Sequence, residues 1–297
     1  MGSSGSWPTP QRSAPAIAIK RGPEVILFDC GEGTQRQFML SKLSFMQISK
    51  VFITHFHGDH FLGLPGLIQS MSLNDRDKLL YIHGPKGIQE LVGSLLTLGY
   101  FAPGFEIRVA ELADGSSIDF DEYIVSALDA LHTVPALSYS LTERQRPGKF
   151  DKPKALELGL PEGPLFGQLQ NGHAVTWEGN TITPEMVMGP PRRGRKIVYS
   201  GDTLPTKEFI EFAKDCDVLI HDATADSSME EKANRYGHST AKQAATVAKE
   251  CGAKELILTH FSPRYEDVTP MLIEAKEIFE NTLVAEDFLE YTVSYTD

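Results

Sequence analysis

The stretch Thr54-His55-Phe56-His57-Gly58-Asp59-His60 decides how the rest of the chain is read. It follows Ile48 to Ile53, an apolar, β-branched run that reads as a buried strand. It precedes Phe61-Leu62-Gly63-Leu64-Pro65-Gly66-Leu67, which opens a helix. Three imidazoles and a carboxylate therefore lie at the carboxyl end of a strand. Such groups are difficult to bury unless something pairs their lone pairs, and a divalent metal does so directly. A single zinc takes four donors from a whole protein, and this segment alone offers up to four. Two adjacent metals are the natural reading.

Outward from this stretch, the same strand-then-donor arrangement recurs. Tyr123 to Ala130 leads to His132, Lys196 to Ser200 delivers Gly201-Asp202-Thr203, and Glu255 to Thr259 delivers His260. Glu24 to Phe28 ends at Asp29, which is either a cap for the helix Gln35 to Leu40 or a partner that orients a metal-bound histidine. Donors at successive strand ends fall on one edge of a sheet, where open α/β proteins place their sites. One assignment takes His55, His57 and His132 for one metal, Asp59, His60 and His260 for the other, and Asp202 as the bridge. Such a centre stays net positive and favours an anionic, phosphate-like transition state. Nitrogen and oxygen donors without cysteine fit zinc or manganese, and the imidazole count favours zinc. A phosphodiester also needs its leaving oxygen protonated. His238, before the helix Ala241 to Cys251, can do this if Asp222 holds its ring, and Asp59 is a candidate acceptor for the water's proton. His83, with no donor near it in sequence, reads as a structural histidine.

The 297 residues suffice for a large core, and the spread of donors argues for one domain with an insertion. Cys30, Cys216 and Cys251 are odd in number and widely spaced, which excludes a disulfide framework and suits a reducing cytoplasm. No apolar run approaches the roughly 18 residues of a membrane span, so a soluble, cytoplasmic protein is expected. Residues 144–195 break the pattern: prolines and glycines interrupt short apolar runs, and the segment reads as an arm leaving the body. Between Thr142 and Lys196 nine Lys/Arg stand against six Asp/Glu, although the whole chain carries a net charge of −12. The basic charge collects where the chain leaves the core, as a solvated loop or as a contact for a polyanion.

At these residues the sequence resembles the metallo-β-lactamase superfamily and, within it, the ribonuclease Z family of tRNA 3′-processing endonucleases. His-x-His-x-Asp-His marks only the superfamily. More specific are Phe28 to Gln35, Thr54 to Pro65, His132-Thr133-Val134-Pro135, Gly201-Asp202-Thr203, Gly237-His238-Ser239-Thr240 and Leu258 to Tyr265. Leu160 to Gly167 looks like the Gly-Pro motif of that family's flexible arm, with Gly163 and Pro164 at its centre. The resemblance implies an α/β fold, a metallo-β-lactamase-like αββα sandwich with an inserted flexible arm. It implies two zinc ions per subunit and hydrolysis of precursor tRNA after the discriminator base, leaving a 3′-hydroxyl. It also implies a homodimer whose arm clamps tRNA, with Lys149, Lys152 and Lys154 as arm contacts and Arg12 in a loop facing RNA. His55, His57, Asp59, His60, His132, Asp202 and His260 take the metal roles, and His238 with Asp222 the proton-donor pair. The sequence departs from the family at Asp222, where Glu is usual, at Ser13, where Asn is expected, and in having no first strand ahead of Gly2. The competing expectations are a small-molecule phosphodiesterase on the same fold and a metal-dependent binding module without turnover.

Overall fold

The computed structural model describes residues 1–295. The chain forms two compact units: a body of residues 1–141 and 196–293, and an arm of residues 142–195 with Ser294 and Tyr295.

In the body, β1 (Ile17–Arg21), β2 (Glu24–Phe28), β3 (Ile48–Phe52), β4 (Leu80–Gly84) and β5 (Ile107–Glu111) form one sheet in sequential order. β1 pairs antiparallel with β2, and the other pairings are parallel. The second sheet takes β6 (Ser117–Asp119), β7 (Tyr123–Asp129) and β8 (Leu137–Glu143). After an arm hairpin, β9 (Val175–Trp177) and β10 (Asn180–Ile182), it adds β11 (Lys196–Tyr199), β12 (Val218–Asp222), β13 (Leu256–Thr259) and β14 (Thr282–Val284). Its order is β14-β13-β12-β11-β8-β7-β6.

Strand alternation builds the layers, because successive side chains point to opposite faces. In β2, Ile26 and Phe28 join Phe52, Tyr139, Tyr199, Ile220 and Ile257 in the core between the sheets. Val25 and Leu27 face the other way, with Val51 and Ile82, onto α1 (Thr34–Leu40), α3 (Leu64–Leu73) and α4 (Ile88–Leu96). The second sheet mirrors this. Val218 and Ile220 point inward, whereas Leu219, Leu256 and Leu258 pack on α8 (Lys207–Ala213), α10 (Ala241–Cys251) and α11 (Thr269–Lys276). The result is the expected αββα sandwich. The short helices α2 (Gly58–Phe61) and α9 (Glu230–Arg235) complete the body.

The arm, whose prolines and short apolar runs looked unsuited to a core, has a small core of its own. Ala155, Leu160, Leu169, Val175, Ile182 and Val187 are buried together among α5 (Lys152–Glu157), α6 (Pro164–Gln170), α7 (Pro184–Val187) and the hairpin. Pro153, Pro164 and Pro184 stand in the first turns of these helices, where a missing N–H costs nothing. No helix among the described residues is long and apolar enough to cross a membrane.

Candidate metal centre

Both sheets bring their carboxyl ends to one place. Asp29 follows β2, His55 and His57 follow β3, and Asp59 and His60 lie in α2. His132 sits in the β7–β8 loop, Asp202 follows β11, Asp222 ends β12 and His260 follows β13.

Of the five imidazoles in this group, His55, His60, His132 and His260 each have one nitrogen tied down and the other turned on the cluster, and His57 turns its Nδ1 on it. Asp29 does not cap α1, whose cap position is Gly33 with no side-chain bond. Fully buried, Asp29 instead sets its Oδ2 2.8 Å from His60 Nδ1. The same carboxylate accepts from the Thr54 amide at 2.8 Å, the Thr54 hydroxyl at 3.0 Å and the Tyr199 hydroxyl at 2.9 Å. Such an array fixes the His60 ring and its tautomer, leaving Nε2 bare toward His260 Nε2 at 3.3 Å. His132 Nδ1 donates to the Gly237 carbonyl at 2.9 Å, which frees its Nε2 toward His57 Nδ1 at 3.3 Å. Gly237 is required there: its φ is +74°, and a Cβ would stand 2.8 Å from the His132 ring nitrogen. His55 Nδ1 meets the Thr54 hydroxyl at 3.0 Å, and its Nε2 meets His57 Nδ1 at 3.0 Å. Asp29 and His260 both hold positive φ, 57° and 63°, a left-handed backbone that side chains adopt at a cost and that clusters at functional positions.

The residues fit a pair of cations. One donor atom each from His55, His57, His132 and Asp202 lies within 4.8 Å of the others, and Asp59, His60 and His260 form a second such group. The two groups touch through Asp202, whose Oδ2 is 3.6 Å from His55 Nε2 and whose Oδ1 is 3.3 Å from His260 Nε2. Asp202 Oδ1 is buried and has no hydrogen-bond partner. A carboxylate oxygen orphaned in a pocket of bare imidazole nitrogens is costly unless a cation stands between them.

The electrostatics divide the histidines. Burial, with neighbouring imidazoles adding to it, drives His55 and His57 toward the neutral form, and burial does the same to His132. Burial also opposes charge on His60 and His260, but the carboxylates outweigh it. Asp202 and Asp29 raise His60 well above its ordinary value, and Asp202, Asp222 and Asp59 raise His260 to about 10. The carboxylates thus draw protons onto the nitrogens that a cation would otherwise occupy.

His238 lies beside this cluster, its Nδ1 3.1 Å from Asp222 Oδ2, so an aspartate spans the distance without the extra methylene of glutamate. Burial would lower the His238 pKa, and Asp222 overcomes that and raises it. Thr224, which sequence reasoning did not single out, connects the two groups. Its hydroxyl is 2.7 Å from Asp222 Oδ1, 3.2 Å from His238 Nδ1 and 2.9 Å from His260 Nδ1. The Ser6 amide donates to Asp59 Oδ2 at 2.7 Å, bringing the loop ahead of β1 to the site. Arg12 of that loop is engaged by the body, bonding Ser3 Oγ at 2.7 Å and the Ala285 carbonyl at 2.5 Å, and its guanidinium lies 4.9 Å from the Phe261 ring centroid. Lys149, Lys152, Lys154, Gly163 and Pro164 belong to the arm, where Lys152 pairs with Glu162 at 2.8 Å. His83 stacks on Phe52 with ring centroids 4.9 Å apart, away from any donor group, and neither of its ring nitrogens has a partner.

Comparison with known proteins agrees with this architecture. The family described as the beta-lactamase superfamily domain matches residues 171–261, and that described as anti-Pycsar protein Apyc1 matches residues 9–144. Ribonuclease Z of Archaeoglobus fulgidus is 47% identical over 100% of this chain and 97% of its own length. Ribonuclease Z of Methanosarcina acetivorans is 48% identical over 99% and 97%. Among solved structures, the short form of human tRNase Z superposes with a TM-score of 0.72 at 30% identity, over 99% of this chain and 97% of that one. Identity at this level from end to end places the chain: it belongs to the ribonuclease Z family of metallo-β-lactamase-fold endoribonucleases.

Proposed function

We propose that the protein is a dinuclear zinc endoribonuclease that removes the 3′ trailer of precursor tRNA, cutting after the discriminator base and leaving a 3′-hydroxyl. The observation that carries the reading is the convergence of seven donors on two adjoining groups beside an Asp222–His238 pair. His55, His57 and His132 would hold one ion, Asp59, His60 and His260 the other, with Asp202 shared. When bound, two such ions supply Lewis acidity and a water deprotonated near neutral pH.

The remaining steps belong to the chain itself. Asp29, Gly237 and Thr54 hold the ligand rings with one nitrogen outward, so the centre is shaped before substrate arrives. Asp222 binds His238 at Nδ1, which favours the protonated ring and leaves Nε2 as the atom that would hand a proton to substrate. As water oxygen bonds to phosphorus its proton passes to Asp59, and as the P–O3′ bond breaks the His238 proton passes to O3′, which yields the 3′-hydroxyl and leaves the phosphate on the trailer. The net-positive arm, with Lys149, Lys152, Lys154 and the Gly163-Pro164 turn, supplies a contact for the tRNA polyanion that the acidic body would repel.

The protein is further proposed to be a homodimer. Met39 and Leu40 on α1, Leu62 after α2 and Leu73 at the end of α3 are large apolar side chains left exposed on the helical layer over the first sheet. Sedimentation should give twice the 32.8 kDa chain mass. The reaction is tested with a labelled precursor tRNA carrying a 3′ trailer. A metal-dependent cut at the discriminator that Asp59→Ala abolishes supports the reading. Intact tRNA alongside hydrolysis of a small aryl phosphodiester would move the assignment to small substrates.

A further inference from the structure

The arm is tied to itself by a thin stem. Its two segments, residues 143–151 and 187–195, run antiparallel and share few backbone bonds. Glu143 N–H donates to the Arg195 carbonyl at 2.8 Å, and Arg146 and Arg192 exchange bonds at 2.8 and 2.9 Å. Gly189 N–H donates to the Lys149 carbonyl at 2.8 Å, and Asp151 N–H to the Val187 carbonyl at 2.7 Å. The segments press together at Gly148, where a Cβ would lie 1.9 Å from the Gly189 carbonyl oxygen. A two-stranded ribbon of this kind is marginal without further support.

A third segment reaches the same stem. Tyr295 is grouped with the arm, and its ring centroid lies 3.6 Å from Arg146 Cζ and 4.0 Å from Arg195 Cζ. Two guanidinium groups that close to one centroid cannot share a face without overlapping. The ring therefore lies between them, with one arginine from each stem segment. Arg195 is also held by Glu143, through Nε at 2.8 Å and Nη2 at 2.7 Å. Arg146 differs: its Nε and Nη2 are shielded from water and have no hydrogen-bond partner. The aromatic face is then the group that offsets the cost of keeping this charge there.

We propose that Tyr295 is a positioning residue for RNA processing: a staple across the arm's stem, between Arg146 and Arg195, that keeps the arm ordered before precursor tRNA binds. The inference rests on the reading of the arm as the tRNA contact. Pre-ordering acts on affinity, because the cost of ordering a loop is otherwise subtracted from binding.

The test compares Tyr295→Ala, Tyr295→Phe and a variant with Gly148 to Gly189 replaced by a short linker. Each is assayed on precursor tRNA and on a small aryl phosphodiester, and the two point variants are also probed by limited trypsin digestion. Tyr295→Ala should raise KM for precursor tRNA about tenfold, with kcat and aryl phosphodiester hydrolysis unchanged, and should speed cleavage after Arg144 and Arg195, the bond after Arg146 being closed to trypsin by Pro147. Tyr295→Phe keeps the aromatic face and should stay within about twofold of the parent in every measure. An unchanged KM in Tyr295→Ala while the linker variant loses tRNA cleavage overturns the positioning role. Should the linker variant cleave precursor tRNA normally, the reading of the arm as an RNA contact fails instead. Trypsin protection then decides the staple: unchanged protection in Tyr295→Ala overturns it, and lost protection supports it.

Discussion

Asp29 illustrates what one buried carboxylate does at this site. It bonds His60, Thr54 and Tyr199 at once, drawing on β2, the β3 loop and β11. Its position at a strand end was legible in the sequence, but its partners were not, since Tyr199 lies 170 residues away. Thr54 and Thr224 were overlooked for a related reason: a threonine hydroxyl carries no charge to mark it, and only the fold shows Thr224 touching Asp222, His238 and His260. His238 pairs with Asp222 and also belongs to a third group of close donors, with Asp202, Asp222 and His260, and the function proposed above gives it proton transfer rather than a metal. His238→Ala should therefore lower kcat by about 10²- to 10⁴-fold, with metal content by elemental analysis and KM for precursor tRNA nearly unchanged. A parallel loss of metal would instead make His238 a ligand. His83 offers a separate test, of stability. Burial and the nearby Lys50 lower its pKa to about 4, from an unfolded value near 6.5. The unfolded chain thus binds a proton that the folded one resists, and stability contributed by neutral His83 is present above pH 6.5 and lost as pH falls toward 4. The pH dependence of unfolding between pH 7 and 4.5 should be smaller by about 2 to 3 kcal/mol in His83→Phe than in the parent, read from urea midpoints. Equal slopes in the two proteins would show that His83 does not titrate with unfolding.

At the scale of elements, the sequence was clearest where a strand is apolar on both faces and ends in a donor. β3, β11 and β13 appear as short β-branched runs because parallel strands between helices and a second sheet are buried on both sides. β8 escaped notice: Leu137-Ser-Tyr-Ser-Leu-Thr-Glu143 looks polar at alternate positions, yet Ser138 and Ser140 are buried, and Ser138 Oγ bonds the Ser200 carbonyl at 2.6 Å. The arm's elements were hidden differently. Six core residues spread over more than 30 positions leave no periodicity to read, and helices of four to seven residues are set by proline and by tertiary packing rather than by pattern. The cap of helix α10 is Thr240. Its side chain accepts from the Gln243 amide, and Gln243 bonds back to the Thr240 amide. This reciprocal cap stands two residues after His238, so it fixes the start of α10 and the exit of the loop that carries His238 together. Thr240→Ala should cost about 1 kcal/mol and, for a chain of this size, lower the melting temperature by about 2 to 4 °C. Thr240→Ser, which keeps the oxygen, should recover most of that loss in the same calorimetric scan.

Across the whole molecule, the donors come from both halves of the chain: His55, His57, Asp59, His60 and His132 from residues before the arm, and Asp202 and His260 from residues after it. The two groups join the carboxyl ends of both sheets, so whatever occupies them clamps the sandwich along one edge. Bound cations would act there as folding energy, because no such arrangement of donors exists in the unfolded chain. A site saturated a thousandfold over its dissociation constant contributes about 4 kcal/mol. Stripping the protein with a chelator should accordingly lower its melting temperature on the order of 10 °C. Adding back zinc should restore it at a stoichiometry of two per chain. In the stripped protein the carboxylates still have His60 and His260 to pair with, since Asp202 raises both pKa values. The chain should therefore remain folded at pH 7, with near-native far-ultraviolet circular dichroism. A chelated protein that keeps its melting temperature would mean that these two histidines and Asp202 hold the edge through protons alone. One that unfolds outright would mean that the cations are needed to close the sandwich as well as to work in it.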